Sequence, residues 1–170
     1  QGTALAVHLL RLYSTLIGLA GLAAIYLTAL LIFPERRYLA VAVMAVSAFV
    51  PMFVFAASVV NNDIMAAALA FWCIYFCVRA VLRRGGLWVL AAAAGLAVLA
   101  MLAKYSSLPL IGLVAATAVI RLVQIRRQER QRFRAMLWQT TLLFGLLALP
   151  LLIWMMRSLS FLDKVVDFYA

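Results

Sequence analysis

The sequence predicts an all-α polytopic membrane protein with six transmembrane helices, and three observations carry that prediction. Of its 170 residues, 69% are hydrophobic, whereas a soluble domain is nearer half apolar. Mean hydropathy is +1.13. The apolar residues fall in runs of about 20, the length that crosses a hydrocarbon core, and they lack the polar/apolar alternation of a barrel strand. Lipid offers unpaired backbone groups no water, so such runs fold as helices. The expected organisation is a six-helix domain over residues 1–156 and an amphipathic tail over 157–170.

Each element has a local reason. The first helix is expected over about Leu5–Phe33. It is longer than a core of roughly 30 Å requires, so it tilts, or its first turns with His8 and Arg11 lie in the interface. Pro34-Glu35-Arg36-Arg37 ends it, because proline cannot continue a helix interior. A second helix over about Tyr38–Val60 should kink at Pro51. Asn61-Asn62-Asp63 forms the next turn. Asn and Asp cap helix N-termini, and a carboxylate there suits the helix dipole. A third helix follows over about Ile64–Leu82, then the basic turn Arg83-Arg84-Gly85-Gly86. The fourth, about Leu87–Ala103, carries Ala91-Ala92-Ala93-Ala94-Gly95, a small-residue run that lets a neighbouring backbone approach. Lys104-Tyr105-Ser106-Ser107 is the next polar break. The fifth spans about Leu108–Ile125, with Pro109 in its first turn, where proline is tolerated. A basic run from Arg126 to Arg134 precedes the sixth, about Leu137–Met156, with a kink at Pro150. In the tail, Phe161, Leu162, Val165, Val166, Phe168 and Tyr169 take one side, and Asp163, Lys164 and Asp167 the other. That is an interfacial helix on the outer face, or the start of a longer outer domain.

Charge sets the orientation. The net charge is +10. In a soluble protein this would suggest nucleic acid, but no aromatic-basic single-strand motif accompanies it. Basic loops instead hold a membrane protein's turns in the cytoplasm, against anionic lipid. Eleven of the fifteen basic residues fall on alternate connections or adjacent helix ends: Arg36 and Arg37; Arg79, Arg83 and Arg84; Arg121, Arg126, Arg127, Arg130, Arg132 and Arg134. Arg11, Lys104, Arg157 and Lys164 fall on the opposite side. Both termini, Asn61-Asn62-Asp63 and Lys104 are therefore expected on the non-cytoplasmic face, in a bacterial plasma membrane. The chain starts at Gln1 without a basic n-region or cleavage site, so no signal peptide is read. It is expected to be processed or part of a longer polypeptide.

The chemistry-bearing residues gather on that outer face. Asp63 is one of five acids in the chain. Lys104 and Arg157 stand at helix ends. Polar groups at such depth are expensive and tend to be functional. The bases suit an anion such as a lipid phosphate, Arg through a bidentate fork and Lys as a point charge. The substrate-binding candidates are Asn61, Asn62, Asp63, Lys104 and Arg157, and Asp63 is the one catalytic candidate. The plainer alternative makes Asp63 a helix cap and lets the two bases snorkel to headgroups. Cys73 and Cys77 share a helix face at i, i+4. A metal pair would need two more ligands, and the only histidine, His8, is distant in sequence, so helix packing is the reading. Phe71, Trp72, Tyr75 and Phe76 form an aromatic stripe suited to lipid or to another subunit. No nucleophile elbow, zinc-protease pair or phosphate-cradling glycine loop occurs, and no inverted repeat marks a transporter.

Two blocks resemble a known family. One is Pro51-Met52-Phe53-Val54-Phe55-Ala56-Ala57-Ser58-Val59-Val60-Asn61-Asn62-Asp63, preceded by the arginine-bearing entry His8-Leu9-Leu10-Arg11. The other is Gly95-Leu96-Ala97-Val98-Leu99-Ala100-Met101-Leu102-Ala103-Lys104-Tyr105-Ser106-Ser107-Leu108. Over roughly residues 5–160 the chain is similar to the GT-C superfamily of polyprenyl-phosphate-sugar-dependent glycosyltransferases, the branch with protein mannosyltransferases and aminoarabinose transferases. The resemblance implies inverting transfer of a sugar from a lipid-phosphate carrier at the outer face. It makes Asp63 the second-loop acid, Lys104 a contact to the carrier phosphate or to the lining of the site, and Arg11 and Arg157 lesser candidates. The family's general base is an acid in the first outer loop, and no acid precedes Glu35 here. The expectation is a glycosyltransferase-like membrane module, non-catalytic as these 170 residues, with no cofactor. A divalent cation is implied only for an intact transferase. Expected partners are membrane lipids, the polyprenyl-phosphate carrier and other membrane subunits, and no nucleic acid. The alternative is an accessory subunit of a respiratory or photosynthetic membrane complex.

Overall fold

The computed structural model describes residues 2–83 and 86–126, with single positions between 137 and 156. Arg84, Gly85, the basic run beyond Arg126 and the tail with Arg157 lie outside the described residues, as does the course of the sixth helix. The described chain runs α1 (Gly2–Ile32), α2 (Arg37–Ala48), α3 (Pro51–Ser58), α4 (Asp63–Leu82), α5 (Leu87–Ala103), a 3₁₀ turn (Tyr105–Ser107) and α6 (Pro109–Arg126). No strand occurs among the described residues, and the protein is an all-α, polytopic membrane protein. Helices α1 and α4 and the stretch Tyr105–Ile125 are each long and apolar enough to cross a membrane. The α2–α3 pair, bent by 65° at its break, has the length and composition of a fourth, broken span or of a re-entrant loop. Helix α5 has 17 residues, about 25 Å at 1.5 Å per residue, short of a hydrocarbon core of roughly 30 Å.

The bend is sharper than a kinked single helix. Pro51 is the first residue of α3, and Val50 before it is extended at φ −62° and ψ 120°, as a residue preceding proline must be. Proline has no N–H to continue the ladder. The Val50 carbonyl starts a new helix instead, accepting from the N–H of Phe53 at 2.9 Å and of Val54 at 3.1 Å. Helix α3 ends at Ser58, two residues earlier than the sequence suggests, where Val59 turns extended.

Helix α4 is the hub, packed on α1 and α5 and also on α6. Cys73, Cys77, Leu90, Ala93, Ala94, Ala97, Val114 and Ala118 form the buried core. Lipid tails are as apolar as leucine, so helices in a membrane associate through close packing, and small residues permit it. The two cysteines are free and buried. Gly95 does not play the role expected of it: a Cβ there would meet nothing within 4 Å. The alanines beside it make the approach. The tight glycines are on α1. A Cβ on Gly18 would lie 3.4 Å from the Ala57 Cβ, and one on Gly21 3.3 Å from the Ala68 Cα.

These contacts put Gly18 level with Ile64 and Gly21 level with Ala68, so α1 and α4 run in the same direction. With 31 residues, α1 is about 46 Å long. Its first half continues about 20 Å beyond the start of α4, with Leu5, Leu9, Leu12, Tyr13 and Leu16 exposed. The aromatic stripe of α4 turns partly inward. Phe71 lies 6.4 Å from Phe53, and Phe76 lies 6.1 Å from Trp88 on α5.

Candidate functional site

The antiparallel return of α5 along α4 brings two polar breaks of the sequence to one corner. Asn61 closes a tight turn, its N–H donating to the Val59 carbonyl at 3.1 Å. Its side-chain Oδ1 accepts from the Asp63 N–H at 3.1 Å. This Asx turn takes the place of the side-chain cap expected of Asn62 or Asp63: the N-cap residue is Asn62, and it makes no capping bond. The Asn62 side chain points across the corner instead, Nδ2 donating to the Ala103 carbonyl at 2.5 Å. That carbonyl lies in the last turn of α5, where no helical N–H remains to satisfy it.

One residue further on each strand of the corner, Lys104 Nζ meets Asp63 Oδ1 at 2.6 Å. The Lys104 side chain is 44% accessible and that of Asp63 35%, so the pair faces water. At that exposure an ion pair contributes at most about 1 kcal/mol. Its value is positional. The carboxylate fixes one of three ammonium donors, and the others remain open to an incoming anion. The extended backbone of Lys104, at φ −153° and ψ 120°, and the 3₁₀ turn behind it aim the side chain at α4.

The sequence-predicted residues Asn61, Asn62, Asp63 and Lys104 thus meet in one place. Arg157 lies outside the described residues. Arg11 is exposed on α1, one turn beyond Thr15, whose hydroxyl donates to the Arg11 carbonyl at 2.9 Å and reaches the Ala57 carbonyl at 3.4 Å. The sequence reading missed Thr15 and the groove next to it. Thr15, Gly18, Leu22, Phe53, Ala57 and Ser58 line this cleft of about 270 Å³ between α1 and the α2–α3 elbow. The small-residue spacing Ser14-x-x-x-Gly18 was the available signal for close approach at this level of α1. At the corner the Lys104 ammonium pairs with one oxygen of the Asp63 carboxylate, and no group of three His, Cys, Asp or Glu side chains gathers among the described residues. Glu35, the other described acid, follows the far end of α1, about 25 Å down the helix from Gly18.

Apolar helices of spanning length and small-residue packing define an integral membrane protein with a polar corner at the end of its bundle. The sequence profile of the dolichyl-phosphate-mannose-protein mannosyltransferase family matches residues 6–154. The chain belongs to that family, a group of glycosyltransferases of the GT-C type. Comparison with curated proteins and with solved structures gave no match.

Proposed function

We propose that the Asn61–Asp63/Lys104 corner engages a lipid-phosphate-linked sugar on the non-cytoplasmic side of the membrane. The 2.6 Å contact between Lys104 and Asp63 carries the reading. Lys104 meets the carrier phosphate through its free donors. Cleavage of the sugar–phosphate bond leaves negative charge on that phosphate, and a fixed cation stabilises the transition state more than the ground state. Asp63 holds the ammonium in place, and its second oxygen accepts from a sugar or acceptor hydroxyl. The Asn62–Ala103 bond keeps the ends of α4 and α5 in register. These residues bind and orient. The general base comes from elsewhere, because a base must reach its proton within hydrogen-bond distance and Glu35 is at the other end of the bundle.

The test is sugar transfer from a lipid-phosphate donor by membranes carrying the intact protein. Lys104→Met and Asp63→Asn should each lower kcat/KM by about a hundredfold, the scale of one lost transition-state contact, with normal membrane insertion. Unchanged transfer in both would remove the corner from the chemistry. A second reading, a non-catalytic accessory subunit, would place other subunits rather than lipid on the apolar surface of α1 and of the elbow, where Phe49 is 82% exposed. Copurification with redox subunits and no transfer activity would select it.

A further inference from the structure

The opposite end of the bundle carries a second polar arrangement, unrelated to the sugar corner. Arg79 lies in the last turn of α4. Its guanidinium carbon sits 5.1 Å from the ring centroid of Trp88, the second residue of α5. Its Nη1 donates to the Tyr75 hydroxyl at 3.3 Å. The two rings are themselves braced: Tyr75 stands edge-on to Trp72 at 5.5 Å and to Phe76 at 5.2 Å, and Phe76 stands edge-on to Trp88 at 6.1 Å. Arg83, one turn further along the same face, is exposed. No carboxylate among the described residues pairs with Arg79 or Arg83; the described ion pair is Lys104–Asp63, at the other end.

We propose that Arg79, Arg83 and Tyr75 form a seat for the phosphodiester of an anionic phospholipid, in the leaflet at the arginine-rich end of the bundle. A guanidinium has five donors, and the described bonds use one. Stacking on Trp88 covers a face of the guanidinium and leaves its N–H edges open, in the fork geometry that matches two phosphate oxygens. The side chain is already held, so binding forfeits little rotamer freedom. The Tyr75 hydroxyl accepts from Arg79 and has its own proton to donate. Trp88 is 58% exposed, as an indole at the headgroup level of a bilayer is expected to be. Arg83, a turn nearer the water, adds the second positive charge that favours an anionic over a zwitterionic headgroup. A lipid is the occupant because the apolar flank of α4 and α5 continues directly below the seat, where acyl chains lie. The seat differs from general attraction to basic loops in that one pinned arginine dominates it.

The experiment is native mass spectrometry of the intact protein in detergent, titrated with phosphatidylglycerol or phosphatidylcholine. The wild type should retain phosphatidylglycerol in a saturable way and phosphatidylcholine weakly, with inorganic phosphate failing to compete. Arg79→Gln should weaken retention about tenfold, equivalent to about 1.4 kcal/mol. Arg36→Gln and Arg37→Gln, at the same end but outside the aromatic brace, should leave it unchanged. Should Arg79→Gln not fold, Arg79→Lys and Tyr75→Phe serve, the first keeping the charge without the fork and the second removing the hydroxyl. Each should weaken retention several-fold. Equal retention of the two lipids, equal losses from every arginine variant, competition by inorganic phosphate, or full retention in Arg79→Gln or in both substitutes would overturn the proposal.

Discussion

The glycines of this bundle make opposite predictions from the same chemical change. At Gly21 a Cβ would lie 3.3 Å from the Ala68 Cα and 3.3 Å from Phe71 Cδ2. The first of these is backbone and cannot rotate away, so Gly21→Leu forces α1 and α4 apart. Overpacking of this kind costs roughly 1–3 kcal/mol. Replacing glycine in a helix returns about 1 kcal/mol of propensity, so the net loss is up to about 2 kcal/mol. In a protein of this size each kcal/mol moves the melting temperature by roughly 2–4 °C, which puts the expected drop at up to about 8 °C. At Gly95 a Cβ would meet nothing within 4 Å. Gly95→Leu therefore keeps the propensity gain of about 0.5–1 kcal/mol without the clash, and should melt a few degrees higher than wild type. The assay is fluorescence-monitored melting of both purified variants in one detergent at one scan rate, since irreversible unfolding makes the apparent midpoint rate-dependent. Gly21→Leu melting as high as Gly95→Leu would refute the packing of α1 on α4.

Other outcomes follow from the corner and the core. A double-mutant cycle of Asp63→Asn and Lys104→Met should give a stability coupling below about 1 kcal/mol, because both side chains are over a third exposed; a coupling of several kcal/mol would mean that the pair is structural. The same variants should lower sugar transfer about a hundredfold, and that disparity between stability and activity identifies a site. Asn62→Ala should cost about 0.5–1.5 kcal/mol for the lost bond to Ala103, read as a lower melting temperature; no change would mean that water replaces the amide. Cys73 and Cys77, at 0% and 3% exposure, should resist a maleimide in the folded protein and react on denaturation. Labelling of the folded protein would refute the α4–α5–α6 core.

The element pattern was legible because the bilayer leaves few options. A run of about 20 apolar residues must be a helix, and proline, glycine and charge mark where each one stops. The boundaries of α4, α5 and α6 fall within a residue of those expected. The membership of the corner was legible too, because Asn61-Asn62-Asp63 and Lys104 interrupt apolar runs at the same bundle end. Their partners were not legible. Nothing in local sequence directs Asn62 to the Ala103 carbonyl or joins Asp63 to Lys104, since both depend on the register of α5 against α4. The elbow was legible as a position, Pro51, and not as its 65° angle, because proline ends the helical ladder without fixing the direction of the next helix. The small-residue run around Gly95 misled for a related reason: periodicity shows that a face is small but not which face meets a neighbour.

Composition and the placement of prolines and charges determined that this chain is a bundle of membrane helices with polar breaks at two ends, because burial in lipid is decided residue by residue. Which breaks touch, which glycine is crowded and which arginine is pinned beneath an indole were decided only by the tertiary structure. Contacts between helices depend on register and rotation, and hydrocarbon, which solvates every apolar face equally well, leaves both to the packing of side chains.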